Sequence, residues 1–192
     1  GSYKQGDDLD FTVNTTEAMT VVGTPQIAVT VGADVRQAAY MAVESTSTAL
    51  LFRYTVQADE TDTDGVSVGT LGLNSGTIKD AAENALNLTL NTVGATTSVL
   101  VDTTAPTVGS VSVPSNGSYK QGDDLDFTVN TTEAVTVVGT PQIAITVGAD
   151  VRQAAYVAGE STSTALLFRY TVQAGETDTD GVAVGTTLGL NG

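Results

Sequence analysis

Residues 49–66 read ALLFRYTVQADETDTDGV, and nearly the same run returns at residues 165–182 as ALLFRYTVQAGETDTDGV. Apolar side chains occupy every second position in its first half, which predicts a strand with one face in a core and one in solvent. The second half is acidic and contains glycine, which is typical of a turn. The alternating apolar residues are Leu50, Phe52, Tyr54 and Val56.

The rest of the chain continues this design of short alternating segments separated by turns. Apolar residues also alternate over Leu9 to Val13, Ile27 to Val31 and Leu86 to Leu90. Turn residues recur roughly every eight to twelve residues, which is the spacing of a β-sandwich. We therefore predict an all-β protein of tandem immunoglobulin-like β-sandwich domains with Greek-key connections. A small β-barrel is the alternative architecture.

The largest feature of the sequence is an internal repeat. The segment that begins GSYKQGDDLDFTVN at residue 1 returns at residue 117, and the two copies stay in register through Thr70 and Thr186. This period of 116 residues indicates whole repeated domains and not a solenoid. Six positions differ within the repeated stretch, namely Met19/Val135, Val29/Ile145, Met41/Val157, Val43/Gly159, Asp59/Gly175 and Ser67/Ala183.

The domain boundary is predicted in the stretch 101–106, which reads VDTTAP and precedes an apolar strand at 107–113. We expect one repeat over 1–101 that lacks its first strand and a second over 102–192 that lacks its last strands. Two explanations stay open. The chain is a stretch of a longer repeat array, or the missing strands come from neighbouring molecules by strand exchange.

Composition excludes several classes of function. Seven basic against 22 acidic residues give a net charge of -15, so nucleic acid is not expected as a partner. The chain has no His, Cys or Trp, which removes imidazole triads, thiolate nucleophiles and the usual zinc ligand sets. Paired carboxylates also serve glycoside hydrolysis, but nothing indicates a cleft. We predict no catalytic residues, no enzyme activity and no membrane insertion.

The acidic turn is the candidate metal site. Its oxygen-bearing side chains alternate ahead of a glycine, as in the first half of an EF-hand loop that folds onto one hard cation. A complete EF-hand is excluded because Leu71 stands where the bidentate glutamate belongs. The alternative is an acidic surface turn that needs no metal. The candidate calcium ligands are Glu60, Asp62 and Asp64, with Glu176, Asp178 and Asp180 in the second copy.

Asp102 is a separate candidate ligand because it lies in the predicted linker. A carboxylate there can join a cation held by loops of the adjacent domain, and a bridging calcium would stiffen the joint. The alternative is a plain Thr-rich linker. By contrast, Asp8 and Asp10 alternate with Leu9 and Phe11, so we expect both carboxylates on a solvated strand face.

Several strings together resemble the bacterial immunoglobulin-like repeats of very large cell-surface adhesins. They are YKQGDDLDFTV, EAMTVVGTPQIAVTVG, AAYMA, LLFRYTVQ, ETDTDGV, LNSGTIKDAAENALNLTL and VDTTAP, and their order matches over essentially the whole period. The resemblance implies tandem β-sandwiches, export to the cell surface, biofilm formation or host attachment, and calcium near domain junctions. The sequence departs from the family at Glu83, where such repeats usually have glycine.

Two classes of function remain. The first is a structural extender or stalk repeat of an extracellular adhesin or surface filament, whose partners are the adjacent repeats of the same chain. The second is a repeat that itself binds a glycan, a cell surface or neighbouring chains, including fibre assembly by strand exchange. Near-identical copies, short turns and high acidity favour the extender. An exposed aromatic platform would favour glycan binding, and the aromatic fraction is only 5%.

Overall fold

A computed structural model describes residues 2–190. The chain divides into two compact units, Gly1–Thr104 and Ala105–Gly192, which we call unit 1 and unit 2. The helical structure within the described residues is a three-residue 3-10 turn at Ala158–Glu160. The predicted all-β class is confirmed. Within residues 2–190, no helix is long and apolar enough to cross a membrane.

Unit 1 is built from three sheets. The largest has the strand order β2-β6-β5-β4-β8, a second has the order β1-β10-β7, and β3 pairs with β9. The strands are β1 (Ser2–Tyr3), β2 (Asp8–Asn14), β3 (Thr20–Val22), β4 (Gln26–Val31), β5 (Asp34–Tyr40), β6 (Ala49–Thr55), β7 (Thr61–Asp62), β8 (Ser67–Gly72), β9 (Thr77–Lys79) and β10 (Leu100–Asp102).

The large sheet of unit 1 forms where the apolar alternation predicts strands. β2 pairs antiparallel with β6, which brings Leu9 opposite Tyr54, and the alternate side chains of β4 are buried. One buried cluster joins all three sheets, because Phe52 of β6, Ile78 of β9 and Val101 of β10 all belong to it. Burial of this shared apolar surface holds the sheets together.

Unit 2 has one six-stranded sheet and a core of its own. The strand order is β11-β12-β15-β14-β13-β16. Its pairing repeats that of unit 1, since Leu125 lies opposite Tyr170 just as Leu9 lies opposite Tyr54. The strands are β11 (Val108–Ser112), β12 (Asp124–Thr131), β13 (Gln142–Val147), β14 (Asp150–Tyr156), β15 (Ala165–Thr171) and β16 (Ala183–Gly189).

The two units differ although residues 1–70 and 117–186 match at all but six positions. Unit 2 has an edge strand, β11, beside β12, whereas the matching strand β2 has no such neighbour within the described part of unit 1. Conversely, the segments of unit 2 that match β1, β3 and β7 are not strands. In unit 1 these three strands pair with β10 or β9. A pairing partner therefore decides whether these short segments become strands, because their local sequence is the same.

Two predictions from the sequence are wrong. Leu86 to Leu90 is not a strand, although its leucines pack partly buried against the core. Alternation shows which side chains face a core and does not show that a neighbouring strand is present. The predicted linker also begins too early, because Val101 and Asp102 belong to β10 and Val101 is only 1% exposed. The Greek-key connectivity of an immunoglobulin-like domain stays a prediction.

Candidate functional site

The acidic turn of unit 1 folds inward at its first carboxylate. Glu60 is only 4% exposed. Its Oε1 accepts hydrogen bonds from the Tyr54 hydroxyl at 2.5 Å and from Arg36 Nε at 2.6 Å, and its Oε2 accepts one from the Gln57 amide at 2.8 Å. Three donors around a buried carboxylate offset the cost of removing its charge from water. Glu60 thereby connects β5, which carries Arg36, to β6, which carries Tyr54.

This network also changes the chemistry of Tyr54. Burial of the ring, followed by the hydrogen bond to Glu60, raises the pKa of Tyr54 to about 12. The phenol consequently stays protonated, and continues to donate its hydrogen bond to the carboxylate, at alkaline pH values where an ordinary tyrosine ionises.

The second carboxylate of the turn, Asp62, holds two glycine amides. Its Oδ2 accepts a hydrogen bond from Gly32 N at 2.7 Å, and its Oδ1 accepts one from Gly65 N at 2.6 Å. Gly32 has a φ of +59°, and a Cβ at this position would lie 2.4 Å from the Thr61 carbonyl oxygen. Only glycine therefore fits at this position. The two hydrogen bonds of Asp62 fasten the turn between β4 and β5 to the acidic turn.

Unit 2 repeats the contacts of the first carboxylate. Glu176 accepts hydrogen bonds from the Tyr170 hydroxyl at 2.5 Å, from Arg152 Nε at 2.6 Å and from the Gln173 amide at 2.7 Å. Burial acts to raise the pKa of Glu176, but these hydrogen bonds outweigh it, and the net pKa lies below the usual value of a glutamate. The ionised form of Glu176 is therefore the form that the fold holds.

Unit 2 also repeats the contacts of the second carboxylate. Asp178 accepts hydrogen bonds from Gly148 N and Gly181 N, each at 2.7 Å. These two amides lower the pKa of Asp178 below that of a free aspartate. The same network of side chains and backbone amides is thus built twice along the chain.

The two networks differ in what covers them. In unit 1, β10 pairs with β7 over the acidic turn, and Thr103 donates from its amide at 3.3 Å and its hydroxyl at 3.0 Å to the Glu60 carbonyl oxygen. Within residues 2–190, unit 2 has no strand in the corresponding place. As a result, Glu60 and Asp62 are buried, whereas Glu176 and Asp178 are partly exposed.

The remaining predicted calcium ligands are exposed. Asp64 and Asp180 lie on the solvent side of their turns. Asp102 is also exposed, and its Oδ1 accepts a hydrogen bond from the Thr104 amide at 3.0 Å. Among the residues that the structure describes, no three acidic side chains form a group suited to a metal ion.

The arrangement of the turn in unit 1 does not fit a calcium site. Calcium needs about six to eight oxygen ligands with their lone pairs directed at the ion. The oxygens of Glu60 and Asp62 are instead directed at protein N–H and O–H donors. Calcium binding by this turn stays a prediction.

A second charged cluster lies on the solvent face of the large sheet in unit 1. Arg53 forms two hydrogen bonds to Asp10, at 2.6 and 2.7 Å, and two to Glu44, at 3.1 and 2.9 Å. Its Nε also lies 3.3 Å from Asp8. The prediction that Asp8 and Asp10 share a solvated face is confirmed. Arg53 lowers the pKa of Asp10, but exposed ion pairs of this kind contribute little to stability.

The turn after β9 contains the residue that departs from the adhesin repeats. Asp80 Oδ1 accepts hydrogen bonds from the amides of Ala82 at 2.9 Å and Asn84 at 2.7 Å. Between them, Glu83 has a φ of +69°, in the left-handed region that favours glycine. The turn thus has a glycine-like backbone although its residue is glutamate.

Sequence reasoning missed two members of the network. From the sequence, Arg36 is expected to pair with surface acids and Tyr54 to pack in the core with its hydroxyl at the rim. Both predictions are confirmed, since Arg36 also pairs with the exposed Asp34 and Tyr54 belongs to the core cluster, but neither includes the hydrogen bonds that both side chains donate to the buried Glu60. The available signal is that a tyrosine on an apolar strand face needs a hydrogen-bond partner for its hydroxyl, and Glu60 follows six residues later.

Comparison with protein-family models, with curated proteins and with solved structures finds no match to this chain. The resemblance to adhesin repeats therefore rests on the sequence motifs alone.

Proposed function

We propose that the chain is a structural extender, a stalk repeat of an extracellular bacterial adhesin or surface filament that carries tension along an array of like domains. One observation carries this proposal, the parallel pairing of strands from opposite ends of unit 1. β1 lies at the start of the unit and β10 at its end, with Ser2 beside Leu100 and Tyr3 beside Val101.

Parallel pairing of the two terminal strands determines how the unit resists a pull. Tension on its ends draws β1 in its N-terminal direction and β10 in its C-terminal direction, so the strands must slide past each other. All contacts between them then resist together, whereas the contacts of a hairpin pulled from its open end break one after another. Because forced unfolding depends on the rate of unfolding, this arrangement supports a load-bearing role.

The acidic turn strengthens the same arrangement. β10 is fixed on its other side by β7, where Val101 lies opposite Asp62. Thr103, directly after β10, is bonded to the Glu60 carbonyl. A pull on the end of unit 1 therefore reaches the buried core through Val101 and the acidic turn through Thr103.

Three further features support the extender. The same network occurs twice with nearly the same distances, as expected where the number of copies matters more than a unique site. A net charge of -15 suits a solvated surface protein. The resemblance to adhesin repeats supports an immunoglobulin-like topology, a location on the cell surface, and adjacent repeats as partners in attachment or biofilm formation. The proposal does not depend on calcium.

Single-molecule force spectroscopy on the full chain, held at its two termini, tests the proposal. We expect two unfolding events, with unit 1 unfolding at the higher force because the paired terminal strands β1 and β10 are present there. A double variant, Ser2→Cys with Leu100→Cys, assigns the events. The chain has no other cysteine, so oxidation would link only these two positions.

The oxidised double variant should lose the high-force event, and reduction should restore it. Both unmodified units unfolding at the same force would contradict the load-bearing role. Loss of the weaker event on oxidation would contradict it as well, because unit 1 would then be the weaker unit.

A further inference from the structure

The turn between β11 and β12 contains an Asn-Gly pair, Asn116 and Gly117. The chain bends at this pair, and both residues are exposed. The space around Gly117 is open, since a Cβ at this position would have no atom of the described residues within 4 Å. Glycine leaves the backbone after Asn116 with more conformational freedom than any other residue would.

Hydrogen bonding also leaves this pair unrestrained. Within residues 2–190, neither the Asn116 side chain nor the Gly117 amide forms a hydrogen bond to another protein group. The turn is held around the pair instead, by a hydrogen bond from the Tyr119 hydroxyl to the Ser115 carbonyl at 2.7 Å. The carboxamide of Asn116 and the amide nitrogen that follows it are consequently both available to react with each other.

The other asparagines of the described chain are restrained. Each has either its own side chain or the amide of the next residue in a hydrogen bond, and none of them precedes a glycine. The side chains of Asn74, Asn84, Asn87, Asn91 and Asn130 are bonded, and after Asn14 the Thr15 amide donates to the Thr48 carbonyl. Asn191 also precedes a glycine, but it lies outside the described residues.

The Asp-Gly pairs of the two acidic turns offer similar chemistry, and their glycine amides are occupied. Gly65 N donates to Asp62 at 2.6 Å, and Gly181 N donates to Asp178 at 2.7 Å. These hydrogen bonds compete with attack of either nitrogen on the side chain that precedes it. Asn116 is therefore the position at which the fold leaves both reacting groups unengaged.

We propose that Asn116 is a site of spontaneous modification, at which this thermolabile side chain converts to aspartate and isoaspartate through a cyclic imide. The Gly117 nitrogen attacks Asn116 Cγ, the new N–Cγ bond closes a succinimide ring, and the Cγ–Nδ2 bond breaks. Ammonia leaves and takes up the proton of the Gly117 amide. Water then opens the ring. Its attack at Cγ gives aspartate, and its attack at the main-chain carbonyl carbon gives isoaspartate, in which the chain continues through Cγ.

The modification changes the turn in charge and in backbone length. Either product adds a negative charge to a chain whose net charge is already -15. Isoaspartate also adds a methylene group to the main chain between β11 and β12. The turn therefore changes with the age of the molecule and without any enzyme. This inference goes beyond the extender role and does not depend on it, since it concerns the chemistry of one turn.

Ageing of the full chain in mildly alkaline buffer, followed by tryptic peptide mapping with tandem mass spectrometry, tests the proposal. The tryptic peptide that ends at Lys120 also contains Asn84, Asn87 and Asn91, which serve as internal controls. We expect the mass change from an amino to a hydroxyl group to accumulate at Asn116 ahead of all three controls. Isoaspartyl methyltransferase with a labelled methyl donor is the probe for isoaspartate and should label the aged chain but not the fresh one.

Gly117→Ala is the matched variant, because the open space at this position accommodates the added methyl group. It should slow the reaction at Asn116 by about fivefold or more, since a Cβ restricts the backbone conformations that bring the nitrogen to Cγ. A synthetic peptide of residues 113–120 measures the rate without the fold. The folded chain should react at Asn116 about as fast as this peptide.

Three results would overturn the proposal. The first is equal conversion of Asn116 and the control asparagines in the folded chain. The second is a rate at Asn116 at least about fivefold below that of the peptide, because the fold would then restrain the pair. The third is conversion that yields aspartate without isoaspartate, which would exclude the cyclic imide.

Discussion

Val101 lies opposite Asp62 in the antiparallel pairing of β10 with β7, and this contact joins the core of unit 1 to its acidic turn. Val101 is 1% exposed and Asp62 is 4% exposed. The valine fills the apolar core, while the aspartate beside it holds the amides of Gly32 and Gly65. β10 therefore covers both the apolar core of unit 1 and the hydrogen-bonded network of its acidic turn.

Truncation of the covering valine should destabilise unit 1 selectively. Val101→Ala is expected to lower the free energy of unfolding of unit 1 by about 2 kcal/mol, because buried methyl groups are lost and a cavity remains. Scanning calorimetry of the full chain would measure this as a downward shift of one transition. The control is Val43→Ala, since Val43 is 99% exposed and its truncation should change stability by less than about 0.5 kcal/mol. Equal shifts for the two variants would disprove the covering role.

Unit 1 should lose stability in alkaline solution through Tyr54. The pKa of Tyr54 is raised to about 12 in the folded chain from an ordinary value of 10.0. A raised pKa gives stability that is complete below the unfolded value and is lost as the pH rises through the folded value. The thermal midpoint of unit 1 should therefore fall between pH 10 and 12.

The matched variant for this prediction is Tyr54→Phe. It removes the titrating hydroxyl and one donor to Glu60, so it should cost about 1 to 2 kcal/mol at neutral pH. It should also flatten the alkaline dependence of the unit 1 midpoint. An unchanged alkaline slope in Tyr54→Phe would show that another group is responsible.

The repeat itself supplies a test of backbone strain. Asp59 has a φ of +63°, and Gly175 occupies the matching position with a φ of +82°. Asp59→Gly should stabilise unit 1 and Gly175→Asp should destabilise unit 2, each by about 0.5 to 1 kcal/mol, because a side chain in the left-handed region is strained. Denaturant unfolding of the two variants would measure both changes. Changes of the same sign in both would rule out the strain explanation.

Calcium binding predicted from the carboxylate spacing has its own test. Thermal unfolding of the full chain with calcium and with chelator would show a rise of several degrees if the ion binds, and Asp178→Ala with Asp180→Ala should abolish it. At a hundredfold excess over its dissociation constant, one site would add about 2.7 kcal/mol. Because no three acidic side chains among the described residues form a group suited to a metal ion, we expect an unchanged midpoint.

The sequence predicts the elements that depend on local pattern. The alternation through Leu50, Phe52 and Tyr54 correctly predicts β6, and the same pattern gives β2 and β4. The repeat predicts that unit 2 pairs these strands in the same register, as it does. In each case the apolar face and its burial can be read from the spacing of the residues.

The sequence does not predict the features that depend on a distant partner. Val101 looks like part of a linker because only the pairing with β1 and β7, nearly 100 and about 40 residues away, makes it a strand. The inward turn of Glu60 likewise depends on Arg36, which lies 24 residues earlier on another strand. Carboxylate spacing alone does not distinguish a side chain that binds a cation from one that accepts backbone amides.

The claim that β10 completes the repeat is tested most directly by hydrogen exchange of two amides in the full chain. Val66 and Val182 occupy the same position in an identical stretch of sequence. Within the described residues, Val66 N donates a hydrogen bond to the carbonyl of Val99, directly before β10, whereas Val182 N makes no matching bond. We predict slow exchange at Val66 and fast exchange at Val182. Equal protection of the two amides would contradict the claim, because the covering strand would then make no difference to the unit it covers.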